Sequence, residues 1–527
     1  MRTFLFNIIK MKKLKLVSLA IAMACATPSL AGGLLTNTNQ HVAFNRMMSR
    51  EASIGIDGVY YNPAGVVFMG EGKHLAINWQ LAYQTRSIEN DYPLFTNNVN
   101  NPTTPREFKG KAFAPVIPSF QYAYNKGRWS LQAGFALTGG GGKCTFDDGL
   151  GSFEKIVAET ALAACQLAGA VDQVAAQYGV PPVFTSDKSF GKEGKYSYNS
   201  YMHGRQYYYG LSLGAAYKFS DNFSAFAGVR GVYASTNYYG YVENIKVGAM
   251  PLYMVLDPTK ETAANIELSC DQSGVGFTPI IGVDFKTGKW NFAAKYEFKT
   301  RIRLKNKSVN QAPSIGNLPD NLRNAYIAGG VPEAAADAII GNPVIQGAMG
   351  QLKTQFDAKL EEAIGEYEDG KKIAGDIPAY LALGVGYSPV NAVRVNVGFH
   401  WFDDKHATSY NNRQEKLDRG TLEYNAGVEV DVNKKITLST GWQNTNYGLS
   451  DEYMDDKSFV VSSNSAAIGG VYHINKKMDL NVAYFHTFYQ HKKTSEKVQL
   501  SANQSINYNS DYTRNNNVFA VGLDINF

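Results

Sequence analysis

The chain has 527 residues, 44% of them apolar and 13% aromatic, with 50 glycines and a formal net charge of +5. Mean hydropathy is −0.25, and beyond the N-terminus no stretch holds the roughly eighteen apolar residues of a membrane helix. The charge excess sits in residues 1–31, where Arg2, Lys10, Lys12, Lys13 and Lys15 meet no acidic partner, so bulk charge gives no case for a nucleic-acid partner.

Residues 1–31 read as a secretory signal peptide. The basic region is followed by an apolar run over 16–24 and a small-residue site at Ser29-Leu30-Ala31. A start at Met11 would leave that signal complete. Residues 32–73 are expected to form an N-terminal plug. Gly55, Gly58, Asn62, Pro63 and Gly65 mark turning backbone, yet Ile54, Ile56, Val59, Val66 and Val67 need cover from water. A surface loop capping a soluble β-domain is the other reading of this stretch alone.

From residue 74 to 527 the pattern is period two. Trp129, Leu131, Ala133, Phe135 and Leu137 alternate with small or polar residues. So do Tyr207 to Phe219 against Tyr208, Gly210 and Ser212, Trp290 to Phe298 against Lys295 and Glu297, Val393 to Trp401 against Arg394 and His400, and Tyr424 to Val430 against Glu429. Phe519, Val521, Leu523, Ile525 and Phe527 end the chain in the same way. The polar set carries full charges, which suits a wet lumen behind an apolar outer wall. A soluble sandwich could also expose them.

Connection lengths favour the barrel. Short polar turns at 125–128, 220–222, 286–289, 388–391, 433–435 and 475–477 alternate with long connections at 84–116, 139–206, 243–273, 305–376, 402–421, 446–460 and 490–512. The alternation predicts an all-β fold: a 14-stranded antiparallel transmembrane β-barrel with both termini on the short-turn, periplasmic side. Its first strand is expected near 74–83 and its twelfth near 461–473. Residues 152–178 and 332–366 carry helical periodicity, so the outer loops are expected to be partly helical. Residues 247–256 are apolar without alternation, which needs a partner or makes a site.

Lys295, Lys299, Arg301, Arg303 and Arg394 are expected in the lumen, facing Glu297, Glu429 and Asp431, with which they could form a salt network. Cys144 and Cys165 share one predicted outer loop, where a disulfide could form, leaving Cys270 unpaired; three free thiols are the alternative. His residues are scattered and no Cys-x-x-Cys occurs, so neither a metal nor a cofactor is expected. No catalytic constellation can be assembled around His400, and the chain is not read as an enzyme.

The signal peptide, the glycine-rich mature start, Asn62-Pro63-Ala64-Gly65, fourteen strands and the terminal Phe527 together resemble the outer-membrane long-chain fatty-acid transporter family, FadL-like and including TodX-type hydrophobic-compound channels. The resemblance implies passive uptake across the bacterial outer membrane, with a ligand caught in a groove of the loops after the fifth and seventh strands. Met250, Leu252, Tyr253, Met254, Ile339, Ile340, Val344 and Ile345 are the apolar residues there. It implies gating by the plug and lateral exit at a kink in the third strand, for which Gly139, Gly140, Gly141 and Gly142 are the candidates. It further implies that the lumen cations Lys295, Lys299, Arg301, Arg303 and Arg394 could hold a carboxylate head group, and a monomer, with the barrel-assembly machinery, outer-membrane lipid and a hydrophobic small molecule as partners. A plugged general porin for small polar solutes is the rival.

Overall fold

The computed structural model describes residues 34–501 and 504–527; the predicted signal peptide lies outside the described residues. Fourteen antiparallel strands close into one barrel. They are β1 Gly72–Asp91, β2 Arg106–Lys126, β3 Trp129–Phe146, β4 Tyr196–Lys218, β5 Phe223–Val247 and β6 Ile266–Thr287. β7 runs as Trp290–Glu297 and Arg303–Gln311, β8 as Lys372–Ala374 and Tyr380–Val390. β9 Val393–Phe402, β10 Leu422–Asn433, β11 Ile436–Asn446 and β12 Ser463–Asn475 follow; β13 is Met478–Tyr489 with Lys492–Ser501, and β14 is Gln504–Asn526. Each strand pairs with the next, and β1 pairs with β14 from His74–Asn526 to Asp91–Asn509, which removes every free edge.

Period two sets the two faces. On β1, His74, Asn78, Gln80, Gln84, Arg86 and Asn90 are buried while Ile77, Trp79 and Tyr83 are exposed. On β14, Phe519 and Val521 lie outside, and Phe527 just after it is exposed as well. An apolar outer wall around a polar interior is the surface of a membrane-spanning barrel. No helix among the described residues is long and apolar enough to cross a membrane.

Several strands outrun the expectation. β1 reaches Asp91, not residue 83, and β2 begins at Arg106. The predicted loop 490–512 is largely a hairpin of β13 and β14. In those extensions the inner face carries the apolar residues, with Ile88, Phe108, Val498, Leu500 and Tyr508 buried, and much of the outer face is polar, so alternation with the apolar set outside could not announce them.

The outer connections carry α2 Gly151–Ala175, α3 Tyr253–Leu256, α4 Leu318–Ala328, α5 Glu333–Ile340 and α6 Pro343–Ile364, while α1 Val42–Met47 lies in the N-terminal segment. The expected helices over 152–178 and 332–366 are present, and α4 adds one that was not expected. Their apolar faces share a single cluster, in which Val171, Val255, Leu322, Ile339 and Ile345 are buried. The outer loops therefore pack on one another.

Candidate functional site: the lumen and an interruption in its wall

Residues 34–71 are almost wholly buried, and their bonds go to side chains of strands around the barrel. Asn39 donates to Gln80 Oε1 at 3.0 Å, and Arg46 Nε to Asn481 Oδ1 at 3.2 Å. Arg46 and Arg50 both reach Glu429 of β10, the latter at 3.2 Å, and Arg50 also pairs with Asp57 at 2.7 Å. The Glu51 carboxylate lies 2.7 Å from His400 Nε2, with the Glu423 carboxylate 2.8 Å from the other ring nitrogen. The wall leaves room for this segment with glycines: a Cβ at Gly427 or Gly441 would overlap the Met47 carbonyl.

Asn62-Pro63-Ala64-Gly65 joins the segment to β3, β5 and β6. Asn62 Nδ2 donates to Asp284 Oδ2 at 2.6 Å, and Asn62 Oδ1 accepts from the Gly65 amide at 3.1 Å. The Pro63 carbonyl accepts from Gln132 at 2.7 Å and the Ala64 carbonyl from Ser224 at 2.7 Å. A side chain at Gly65 would overlap Asn62 and crowd Asp284. The motif is thus a clasp whose partners are distant in sequence.

The glycine run lies inside β3. The β2–β3 register jumps from Phe113–Lys143 to Ser119–Ala136, so residues 114–118 and 137–142 are unpaired with each other. Pro115 and Pro118 bring no amide hydrogen to that ladder. On the other side, β3 bulges twice against β4, and Gly140 and Gly142 have φ of 71° and 151°, which other residues adopt at a cost. Two β3 carbonyls there find partners in the N-terminal segment. Asn37 donates its amide to Thr138 at 2.9 Å and its side chain to Leu137 at 3.2 Å. Inside the opening, Met48, Ile117, Leu137, Phe485 and Val518 form a small apolar cluster.

Two cavities lie on the outer side of this segment. One, of about 70 Å³, is apolar and walled by α2, α4, α6, β5 and the 252–256 turn. Of the predicted groove residues, Leu252 lines it. Met250 and Tyr253 sit at the margin of the loop core; Ile339, Ile340 and Ile345 are buried within that core, where α5 and α6 pack. Met254 and Val344 are exposed instead. The other cavity, of about 350 Å³, lies in the lumen between Leu34, Leu35, β4, β5 and the loops 403–421 and 447–462. Tyr208, Tyr238, Arg413 and Lys457 line it, and none was singled out from sequence. Tyr208 could have been: it opposes Tyr207 and Tyr209 in the alternation.

The predicted head-group cations are mostly committed to the wall. Lys295 donates to the Tyr60 carbonyl at 2.6 Å and to Glu297 at 2.8 Å; Arg230, absent from the expectation, completes that network on Glu297 at 2.6 Å. Lys299 donates to the His406 carbonyl at 2.9 Å. Arg394 pairs with Asp431 at 2.6 Å and Glu429 at 3.2 Å. Arg301 is not in the lumen at all. Between the two parts of β7 the phase slips: Lys295 and Glu297 are buried, then Thr300, Ile302 and Leu304, leaving Arg301 exposed. A one-residue slip exchanges the faces. Arg303 likewise faces outward, with Asp376 at 2.9 Å.

The cysteines differ from the expected pair as well. Cys144 belongs to β3 rather than a loop, Cys165 lies on α2 with its thiol toward the Phe190 carbonyl at 3.5 Å, and both are free, as is Cys270. Burial pushes the Cys165 thiol above its ordinary value. Among the described residues no group of His, Cys, Asp and Glu has metal-binding geometry.

A closed fourteen-stranded barrel with an apolar outer wall, a buried N-terminal segment and an interrupted wall define the class as a membrane-spanning β-barrel. Among solved structures, a Pseudomonas aeruginosa FadL homologue matches with a TM-score of 0.58 at 14% identity, over 94% of this chain and 100% of that one. The TodX deltaS2S3 mutant, a monoaromatic hydrocarbon channel, matches with a TM-score of 0.50 at 15% identity, over 92% and 98%. No protein-family model matches the sequence, and no curated protein matches it. The chain has the fold of the FadL-like channels.

Proposed function

We propose that the protein is a bacterial outer-membrane channel for passive uptake of hydrophobic compounds such as long-chain fatty acids. In this reading residues 34–71 are the plug, and cargo leaves sideways through the β2–β3 interruption. The observation that carries it is that interruption, apolar on its inner face and bridged by Asn37 of the segment that would gate it. An acyl chain gains about 0.8 kcal/mol per CH₂ taken out of water. A side exit into lipid keeps that gain, and a central aqueous pore forfeits it. Cargo would be collected at the apolar outer cavity, pass to the lumen cavity and move on when Leu34–Thr38 shift. The exposed strand faces meet outer-membrane lipid, the barrel-assembly machinery inserts the barrel there, and the protein acts as a monomer without an enzymatic step. The general-porin reading is disfavoured by the almost wholly buried N-terminal segment, which bonds to side chains of β1, β3, β5, β6, β10 and β13 across the lumen. The test is uptake of labelled oleate and of a small sugar by cells with and without the protein. Protein-dependent oleate uptake that falls in Asn62→Ala supports the proposal; sugar uptake alone overturns it.

A further inference from the structure

Arg86 of β1 and Arg514 of β14 are register partners and both point into the barrel. Their guanidinium groups converge on one acceptor: Gln84 Oε1 takes Arg86 Nε at 3.3 Å and Arg514 Nη2 at 2.6 Å. Arg86 is wholly buried, and neither of its Nη atoms has a hydrogen-bond partner. No carboxylate pairs with it among the described residues; the ionisable groups that face it are Arg514, Cys144 and Tyr489. Phe459, from the 447–462 connection, covers it with a ring 5.8 Å from the guanidinium carbon. A ring face attracts a cation but offers no acceptor in the plane of the fork. Two like charges facing each other across a strand pair repel, and a buried charge without a counter-ion is costly.

The surroundings are as poorly satisfied. Two residues nearer the periplasm, in one row across adjoining strands, come Gln443, Ser465, Thr487, Asn516 and Gln84. Gln443 and Asn516 have no partner for either amide atom, and Gln84 has none for Nε2. Buried polar groups are nearly always bonded, so this concentration on one wall calls for an occupant. One row further lie Phe485, Val518 and Ala82, which belong to the apolar cluster beside the wall opening.

We propose that Arg86 and Arg514 form an oxyanion site on the lumen face of the β1–β14 seam, entered beneath Phe459, whose ligand is a carboxylate or another oxyanion. A planar carboxylate matches the guanidinium fork in two bonds. The amide row supplies further donors, and the four residues from the arginines to Val518 and Ala82 span about 13 Å. An acid with a medium-length chain would set its head on the arginines and its tail at the opening. That extension rests on the uptake reading, whereas the anion site does not.

Isothermal titration of the purified full-length protein in non-ionic detergent, with octanoate, octan-1-ol and acetate, tests the site independently of transport. Wild type is expected to prefer octanoate to octan-1-ol by roughly tenfold or more, and Arg86→Met to lose that preference while still binding the alcohol. Phe459→Ala is expected to bind octanoate faster with the preference retained. If acetate raises the thermal midpoint of wild type at constant ionic strength, and not that of Arg86→Met, without an octanoate preference, the site holds a free small anion and the oxyanion assignment stands. Wild type that neither prefers octanoate nor responds to acetate overturns the proposal, whether or not any variant folds.

Discussion

Glu429 is where the N-terminal segment meets the barrel's charge network, and its replacement by Gln separates the two structures. The carboxylate takes Arg46, Arg50 at 3.2 Å and Arg394 at 3.2 Å. Removing one partner of a buried ion pair costs about 3–5 kcal/mol. Arg50 keeps Asp57 and Arg46 keeps Ser439 at 3.0 Å, which places Glu429→Gln at the lower end. About 3 kcal/mol raises the detached population of the segment on the order of a hundredfold. The β10 backbone pairs on both sides without that carboxylate, so the barrel stays closed. Unheated protein on a denaturing gel should keep its compact, heat-modifiable band, while protease cuts residues 34–71 far faster and conductance in planar bilayers rises. A folded Glu429→Gln barrel with wild-type protease resistance and conductance would refute the reasoning.

Other expectations follow from the same contacts. Gly441→Ala drives a methyl into the Met47 carbonyl and should cost about 1–3 kcal/mol, seen as a lower thermal midpoint and faster cutting near α1. Asp404, in the 403–421 connection, accepts from the Leu34 amide at 3.1 Å and the Thr421 amide at 2.8 Å. Burial lifts its carboxyl to about 6 against the pull of the Thr421 bond. Its folded value lies above the unfolded one of about 4, so its stabilisation is full in acid and lost as pH rises through about 6. The midpoint of wild type should therefore fall relative to Asp404→Asn from about pH 4 to pH 7; parallel curves would contradict this. Cys144, Cys165 and Cys270 are buried and free, so intact mass should show alkylation only after denaturation and without a reductant.

What the sequence made legible is whatever period two and chain punctuation can carry. The short turns and long connections between alternating strands suffice for fourteen strands, because both depend on neighbouring residues. The ladder break was half visible. Four glycines signalled irregular backbone, but that Pro115 and Pro118 stand across from them depends on a register no single strand reveals. Arg301 failed because alternation was extended through the phase slip at 298–302. The clasp motif could be seen, whereas Asp284, 222 positions away, could not. Lys295 and Arg394 lie on inward faces, but their use depends on partners in the N-terminal segment and neighbouring strands. The arginines of the β1–β14 seam left no local signal, since each looks like one more polar residue on an inward face.

The most direct test of side exit is to close the opening with a reversible bond. Cysteines at Ile117 and Leu137, which share the apolar cluster inside the unpaired stretch, introduced together with Cys144→Ser, would tie β2 to β3 on oxidation. Oleate uptake by cells carrying this variant should be lost when the bond forms and return on reduction, with the single replacements unaffected. Undiminished uptake through a fully oxidised barrel would contradict passage between β2 and β3.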